Sequence, residues 1–229
     1  MNPLCIAIDS VDEAVVASLV KKTSAHAGMY KVGATTFAAL GPTIVRELAS
    51  SRAVFCDLKL HDIPSQIEGA VGALGALGAS FATVHALGGA DMVRAAVDAA
   101  PEGLAIIAVT VLTSLDGEDL SALGFEGEIH EVVLRLAELA LGAGASGLVC
   151  SGREIALLRK RFGAASEGGP LLVVPGIRAD ASPQGDQQRT FGARAAMEAG
   201  ADVVVVGRPI TQAADPEAAA RDLLAQLRA

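Results

Sequence analysis

Short apolar segments alternate along the chain with longer segments in which small apolar and polar residues follow a helical period. The apolar segments are rich in β-branched residues and nearly continuous, which is typical of strands covered on both faces. They predict strands at residues 4–9, 28–33, 53–59, 81–86, 105–112, 147–151, 171–177 and 203–208. The segments between them predict helices near residues 11–26, 35–50, 64–79, 89–100, 129–143, 152–162, 188–200 and 212–228.

This alternation indicates an α/β fold. Strand–helix units averaging about 28 residues are of the size expected for a (β/α)8 TIM barrel. No linker or low-complexity segment divides the chain, so we expect residues 1–229 to form a single barrel domain. A doubly wound open sheet is the alternative, and it is less favoured because no G-x-G-x-x-G pattern follows the first predicted strand.

The segment AVFCDLKLHDIP, residues 53–64, carries charges where a predicted strand ends. Asp57 and Lys59 are two positions apart, so regular alternation along the strand would point them to the same side. Asp62 follows in the loop, and Pro64 suits the first turn of a helix. A solvated ion pair is the plain alternative. Because the catalytic residues of such barrels lie at the carboxyl ends of the strands, these charges predict an active site.

Most of the other predicted strands also carry a polar residue or a glycine near or just past their carboxyl ends, namely Asp9, Lys31, His85, Thr113, Ser114, Arg178, Gly207 and Arg208. Loops after the last two strands form the usual phosphate site of a barrel, and a guanidinium can hold phosphate through two hydrogen bonds. We therefore predict phosphate binding at Gly207 and Arg208, with an ordinary turn as the alternative. The polar loops 176–188 and 113–128 are candidate lids or plain surface connections. His85 is as readily structural as functional.

Composition narrows the function class. The formal net charge of −8 and the lack of a basic run argue against nucleic-acid binding. No apolar run reaches transmembrane length and the first residues do not resemble a signal peptide, so a cytoplasmic location is expected, with no membrane partner. Cys5, Cys56 and Cys150 fall in predicted strands and are expected to be buried thiols. The four histidines show no metal-ligand spacing.

Taken in order, the motifs resemble those of the orotidine 5′-phosphate decarboxylase family over nearly the whole chain. They are KVG at 31–33, DLKLHDIP at 57–64, VTVLTS at 109–114, VVPGIR at 173–178, GDQ at 185–187 and VVGRPI at 205–210. The resemblance implies a homodimeric (β/α)8 barrel that converts orotidine 5′-phosphate to UMP in pyrimidine biosynthesis. It also implies that the reaction needs no metal and no cofactor.

The same resemblance implies roles for the charged residues. Asp9 and Lys31 would hold the ribose hydroxyls and the charge network. Asp57 would lie against the substrate carboxylate, and Lys59 would protonate C6 of the pyrimidine as CO2 leaves. Asp62 would complete the set from the other subunit, so that each active site is shared.

The resemblance also implies substrate contacts for residues in the later loops. Thr113 and Ser114 match the pyrimidine-contacting segment, and the lid and phosphate groups are matched by Arg178, Gln187, Gly207 and Arg208. Two departures are visible: Ser65-Gln66 stands where Asn-Thr is often found, and Ala-Thr-Thr-Phe after KVG lacks a frequent Glu. The second departure is expected to have little consequence.

Elementary chemistry agrees with these roles. Loss of CO2 from C6 leaves a carbanion that the pyrimidine ring cannot delocalise, so the protein must supply fixed charge. An ammonium group at C6 would stabilise the anion and donate the proton.

Two other functions remain open. A sugar-phosphate decarboxylase resembling 3-keto-L-gulonate 6-phosphate decarboxylase shares D-x-K-x-x-D but uses Mg²⁺. That enzyme carries an acid on the second strand, where Lys31 of this chain would repel a cation. A non-catalytic barrel that only binds a nucleotide would bind UMP tightly without turnover.

Overall fold

A closed barrel of parallel strands forms the centre of the molecule. The computed structural model describes residues 2–178 and 191–228. Within these residues the barrel strands are β1 (Leu4–Ile8), β2 (Met29–Gly33), β3 (Ala53–Leu60), β4 (Phe81–His85), β5 (Ala105–Val109), β6 (Gly147–Val149), β7 (Leu171–Pro175) and β10 (Val203–Val206). Their order is β1-β10-β7-β6-β5-β4-β3-β2, and β1 pairs with both β2 and β10. The predicted (β/α)8 barrel is therefore confirmed, and the open sheet is excluded. A small parallel pair, β8 (Ile177–Arg178) and β9 (Phe191–Gly192), follows β7.

Helices surround the barrel. They are α1 (Glu13–Thr23), α2 (Ala34–Leu40), α3 (Thr43–Ala49), α4 (Pro64–Ala76), α5 (Gly89–Ala99), α6 (Gly117–Ala122), α7 (Ile129–Gly142), α8 (Ile155–Phe162), α9 (Ala193–Ala199), α10 (Arg208–Thr211) and α11 (Pro216–Arg228). Within the described ranges, no helix is both long and apolar enough to cross a membrane.

Three helix predictions were wrong in their extent. The helix predicted at residues 188–200 begins at Ala193, because Phe191 and Gly192 form β9 and pair with β8. The segment 35–50 forms α2 and α3 rather than one helix, because Gly41 adopts a φ of +70° and Pro42 cannot continue the hydrogen bonding of α2. The last helix was predicted to begin at residue 212. It begins at Pro216 because Oδ1 of Asp215 accepts the N–H groups of the first turn, at 3.0 and 3.1 Å.

The predicted loop 113–128 contains the short helix α6. Asp116 accepts the N–H of Asp119 at 3.0 Å, and the Asp119 carboxylate accepts the N–H of Asp116 at 3.0 Å. This reciprocal capping box satisfies backbone donors that the start of a helix leaves unpaired. It therefore stabilises α6, although this helix has only 6 residues.

The apolar core has two layers. Strand residues that face outward pack against the helices, and those that face inward fill the barrel with Cys5, Ala7, Met29, Phe55, Phe81, Ile107, Val173, Val203 and Val205. The rings of Phe55 and Phe81 meet edge to face with centroids 5.9 Å apart. Above them the inward positions become polar, so the barrel is filled by apolar side chains at one end and lined by polar ones at the other.

A partly buried ion pair connects α8 to the barrel at the opposite end from the site. Arg159 pairs with Asp202, whose carboxylate also accepts the N–H of Leu172 at 2.7 Å. The Nε and Nη1 atoms of the same guanidinium donate to three backbone carbonyls at 2.8 to 3.0 Å, those of Gly163, Pro170 and Gly200. This arrangement uses the planar fork of arginine in a way that a lysine could not.

The cysteines are buried, as predicted. Cys5, Cys56 and Cys150 are inaccessible to solvent. Burial raises the pKa of the Cys56 thiol to about 12 and also raises the pKa values of the Cys5 and Cys150 thiols. A thiol that stays protonated is a weak nucleophile, so these residues are core side chains.

Candidate active site

Four charges of alternating sign lie in a row at the carboxyl end of β1 to β3. Nζ of Lys31 is 3.5 Å from Oδ1 of Asp9 and 3.5 Å from Oδ2 of Asp57. Nζ of Lys59 is 2.8 Å from Oδ1 of Asp57. The order Asp9–Lys31–Asp57–Lys59, called the charge row below, brings together residues that the sequence predicted for the site.

Strand register explains the row. Lys31 lies beside Ala7 of β1 and Phe55 of β3, while Asp57 lies one step higher, beside Gly33. Gly33 also leaves the space that the row needs. A Cβ at this position would lie 3.0 Å from Nζ of Lys31 and 3.2 Å from Oδ1 of Asp9.

The backbone between Asp57 and Lys59 is not the regular strand that alternation assumes. The pairing moves from Cys56 opposite Ala82 to Leu60 opposite Val84, so β3 advances four residues while β4 advances two. Within this irregularity Lys59 has a φ of +50°. A left-handed non-glycine residue is uncommon, and such residues concentrate at functional sites. Asp57 and Lys59 do meet as predicted, but through this bulge.

Exposure differs along the row. The side chains of Lys31 and Asp57 are each 12% exposed, whereas those of Lys59 and Asp9 are 37% and 60% exposed. The inner pair is therefore shielded from water, where charges interact more strongly. All four side chains line the cavity described next, and the outer members are the more exposed.

A cavity of about 740 Å³ opens beside the row. Its polar lining includes Asp9, Lys31, Asp57, Lys59, Thr113, Gly207 and Arg208. Its apolar lining includes Phe55, Val149, Val173 and Val205. A volume of a few hundred cubic ångströms with convergent polar groups is typical of a small-molecule site.

The last barrel units build another wall of the cavity, which begins beside Asp9 because β10 pairs with β1. Gly207 and the exposed Arg208 lie where β10 passes into α10, and Gln212, which the sequence analysis missed, lines the same wall. Gly176 also lines the cavity, with a φ of +77° that turns the chain between β7 and β8. Phosphate binding at Gly207 and Arg208 stays a prediction.

The structure gives different outcomes for the predicted site residues of the later loops. Thr113 lines the cavity, whereas Ser114 is exposed and is not among the lining residues. The backbone of Arg178 lies in β8, next to the lining residue Ile177. Gln187 and residues 179–188 of the candidate lid lie outside the described residues.

Asp62 does not join the charge row within its own chain. Its Oδ1 accepts the N–H of Ile63 at 2.7 Å, and in the described part of the chain it forms no ion pair. Residues 61–66 are all exposed, and the side chain of Ile63 is 62% exposed.

His85 lies at the same end of the barrel, with its ring centroid 5.8 Å from that of His61. Burial, and then the neighbouring His61 and Lys59, lower the pKa of His85. Its Nδ1 is buried and has no hydrogen-bond partner among the described residues. The neutral ring is therefore the favoured form in the folded protein.

Two buried threonines support the site and were missed by the sequence analysis. Oγ1 of Thr36 lies 2.8 Å from the carbonyl of Ile8 and accepts the N–H of Ser10 at 3.1 Å, so it holds the backbone on both sides of Asp9. Thr83 contacts both Asp57 and Lys59. Thr83 lies in β4, where threonine is common for steric reasons, and Thr36 lies among small residues in α2, so neither residue carried a visible signal.

No group of three or more His, Cys, Asp or Glu side chains within residues 2–178 and 191–228 is arranged to hold a metal ion. The cations of the charge row are instead the ammonium groups of Lys31 and Lys59.

Comparisons with known proteins agree with this geometry. Residues 2–223 match the model of the Orotidine 5′-phosphate decarboxylase / HUMPS family. The chain is 49% identical over 225 residues to orotidine 5′-phosphate decarboxylase of Anaeromyxobacter sp. (strain K), covering 98% of this chain and 97% of the relative. It is 46% identical to that of Thermobifida fusca (strain YX), covering 99% and 96%.

A solved structure shares the fold over the same extent. The crystal structure of orotidine 5′-phosphate decarboxylase from Lactobacillus acidophilus superimposes with a TM-score of 0.86 at 33% identity, covering 99% of each chain. Barrel, charge row and sequence similarity therefore lead to one conclusion: the chain belongs to the orotidine 5′-phosphate decarboxylase / HUMPS family.

Proposed function

We propose that this protein decarboxylates orotidine 5′-phosphate to UMP in pyrimidine biosynthesis, without a metal or another cofactor. The observation that carries the proposal is the contact of 2.8 Å between Nζ of Lys59 and Asp57 at the edge of the cavity. It places an ammonium group and a carboxylate side by side where a substrate can reach both. The names of the relatives support the same substrate.

Lys59 is the proposed proton donor. The bond between C6 and the carboxylate carbon breaks, CO2 leaves, and the electron pair stays on C6. The Lys59 ammonium stabilises this pair by its charge and then transfers a proton to C6, which gives UMP. The lysine regains its proton from water, so the cycle is balanced.

Asp57 and Lys31 set up the charges before the substrate arrives. Asp57 holds the Lys59 ammonium and would lie against the carboxylate of the substrate. Lys31, between Asp9 and Asp57, keeps both carboxylates in place, and Asp9 is exposed enough to accept hydrogen bonds from ribose hydroxyls. Charges that are fixed in advance need no reorganisation during the reaction.

Phosphate binding at the wall built by the last barrel units would contribute binding energy from a part of the substrate that does not react. The proposed ligands are Gly207 and Arg208, with Thr113 and Ser114 at the pyrimidine and Arg178 and Gln187 at the lid. Binding of a non-reacting group can be used to order the reacting groups, which lowers the barrier rather than only the KM.

The Mg²⁺-dependent alternative is less consistent with the charge row. The ammonium of Lys31 lies 3.5 Å from carboxylates on both sides and occupies the space in which a divalent cation would need oxygen ligands. We therefore expect full activity after treatment with EDTA.

We further propose that residues 1–229 act as one barrel domain in the cytoplasm and that two chains share their active sites. Asp62 is free of ion pairs within the described part of its own chain, and the neighbouring Ile63 exposes an apolar side chain. A carboxylate and an apolar group exposed together just past the end of β3 suit a two-fold interface that carries Asp62 to the partner's Lys59.

The direct test is to add purified protein to orotidine 5′-phosphate and follow the loss of orotate absorbance, with and without EDTA. Catalytic turnover that EDTA leaves unchanged is expected. Turnover lost on chelation and restored by Mg²⁺ would favour the metal-dependent alternative. Tight UMP binding without turnover would identify a non-catalytic barrel.

A further inference from the structure

We infer that Thr83 is a positioning residue for the decarboxylation, acting through its hydroxyl on both Asp57 and Lys59. The inference rests on the proposed function for its catalytic consequence, but its geometry stands on the contacts themselves. Oγ1 of Thr83 accepts the backbone N–H of Lys59 at 2.8 Å and donates to Oδ1 of Asp57 at 3.2 Å.

The donor and acceptor roles in this contact are fixed by chemistry. The backbone N–H of Lys59 can only donate, so the hydroxyl oxygen of Thr83 must accept there. Its own proton is then available for the carboxylate of Asp57. Together with the contact between Nζ of Lys59 and Asp57, this closes a ring that runs from the backbone of Lys59 back to its side chain.

The ring compensates for the bulge in β3. Where the register of β3 against β4 shifts, the N–H of Lys59 bonds to a side chain of β4 instead of a backbone carbonyl. Thr83 is fully buried, so without its hydroxyl this N–H would lie in a site with little water to replace it. The hydroxyl therefore stabilises the unusual φ of +50° at Lys59.

The carboxylate of Asp57 is held from three directions. Oδ1 receives the Thr83 hydroxyl and the Lys59 ammonium, while Oδ2 faces Lys31 at 3.5 Å. Removal of the hydroxyl would free the carboxylate to rotate about its side-chain bonds and would loosen the backbone of Lys59. Both proposed catalytic groups would then lose their alignment from a single change.

Thr83 acts without touching the substrate. It lies on the inward face of β4, on the same side as Phe81, and is not among the residues that line the cavity. Its loss should therefore lower kcat and leave substrate binding almost unchanged. A residue that only stabilised the fold would lower the melting temperature without this selective effect on kcat.

The test compares Thr83→Val, which keeps the shape and removes the hydroxyl, with Thr83→Ser, which keeps the hydroxyl. The matched control is Thr23→Val, because Thr23 is also fully buried and its hydroxyl bonds to Leu19 and Tyr30, away from the site. We expect Thr83→Val to lower kcat on the order of tenfold to a hundredfold, as misplacement of reacting groups does. KM for orotidine 5′-phosphate and the Kd of UMP should change less than about threefold, while Thr83→Ser and Thr23→Val keep kcat within about threefold.

A normal kcat in Thr83→Val, or an equal defect in Thr83→Ser, would overturn the inference. If Thr83→Val does not fold, Thr83→Ala removes the same hydroxyl with less bulk. A second readout needs no turnover: the Lys59 amide should exchange with solvent faster in Thr83→Val than in wild type and Thr83→Ser. Unchanged amide exchange would refute the contact itself, whereas failure of the wild type to decarboxylate would refute only the proposed function.

Discussion

The ammonium of Lys59 lies 2.8 Å from Oδ1 of Asp57, and the backbone that carries it has a left-handed φ of +50°. A lysine at this φ costs about 1 kcal/mol relative to a residue without a Cβ. Lys59 keeps this conformation because the ion pair and the surrounding hydrogen bonds determine its position. Backbone strain therefore lies at the residue that we propose as the proton donor.

The first prediction separates the positive φ of Lys59 from its proposed role as proton donor. Both Lys59→Ala and Lys59→Gly should abolish turnover, because each removes the proposed proton donor, while both should still bind UMP. Lys59→Gly should be the more stable of the two by about 1 kcal/mol, since glycine adopts a positive φ without steric cost. Urea unfolding and UMP titration check this. Near-native kcat in either variant would remove Lys59 from the chemistry.

The second prediction concerns Arg208. Arg208→Ala should weaken orotidine 5′-phosphate by about 2 kcal/mol, the value of a hydrogen bond to a charged group, and should change unphosphorylated orotidine far less. Arg46→Ala, an exposed position on α3, makes the same change in net charge away from the cavity and serves as the control. Equal losses for both ligands would place the phosphate elsewhere.

Much of the fold could be predicted from the hydrophobic periodicity of the sequence. The predictions that were wrong have local causes. Continuous apolar runs fixed the strands because burial on both faces demands them. The break at Gly41-Pro42 was visible as a dipeptide that ends helices, and the capping box of Asp116 and Asp119 was visible as a spacing. Both were overlooked because the surrounding Ala-rich or Gly-rich composition dominated the prediction.

The site was predictable only in part. Charged residues at strand ends are conspicuous, so Asp9, Lys31, Asp57 and Lys59 could be found. The bulge in β3 could not, because it depends on pairing with β4 rather than on local sequence. For the same reason Thr83 was missed: a threonine in a buried strand is ordinary until its partners across the sheet are known.

The third prediction concerns stability at the end of the barrel away from the site. Arg159→Met leaves the partly buried carboxylate of Asp202 without its ion-pair partner and should lower the free energy of unfolding by about 2 kcal/mol. Arg161→Met breaks the exposed pair with Glu138 and should cost less than about 1 kcal/mol. Denaturant unfolding of both variants checks the difference. Equal losses would mean that the Arg159 network contributes no more than a surface pair.

The fourth prediction uses the pH dependence of His85. Its pKa is lowered in the folded protein from the ordinary value of 6.5, chiefly by burial, so the unfolded chain binds the proton more readily. The stability linked to His85 is therefore present above pH 6.5 and is lost as pH falls below it. His85→Gln should reduce the fall in melting temperature between neutral and mildly acidic pH. The exposed His130→Gln serves as the control, and an identical pH profile for His85→Gln and wild type would contradict the prediction.

The fifth prediction tests whether the active sites are shared. Asp62 is exposed and forms no ion pair within the described part of its own chain, and we propose that it reaches Lys59 of a second copy. Lys59→Ala and Asp62→Ala homodimers should then both be nearly inactive. In a mixed dimer, two-fold symmetry places both defects in one site and leaves the other site with native Lys59 and native Asp62.

Refolding the two inactive proteins together should therefore restore activity, at most to about half of the native value per mixed dimer, because one of two sites is intact. The fraction of mixed dimer is measured by native mass spectrometry in the same sample. A mixture of Lys59→Ala with Asp57→Ala is the control. Because Lys59 and Asp57 of one site come from the same chain, each mixed dimer then has one site without Lys59 and one site without Asp57. Activity in the Asp62 mixture and none in the Asp57 mixture would establish that Asp62 acts across the interface. Confirmed mixed dimers without activity would instead place Asp62 in its own chain's site.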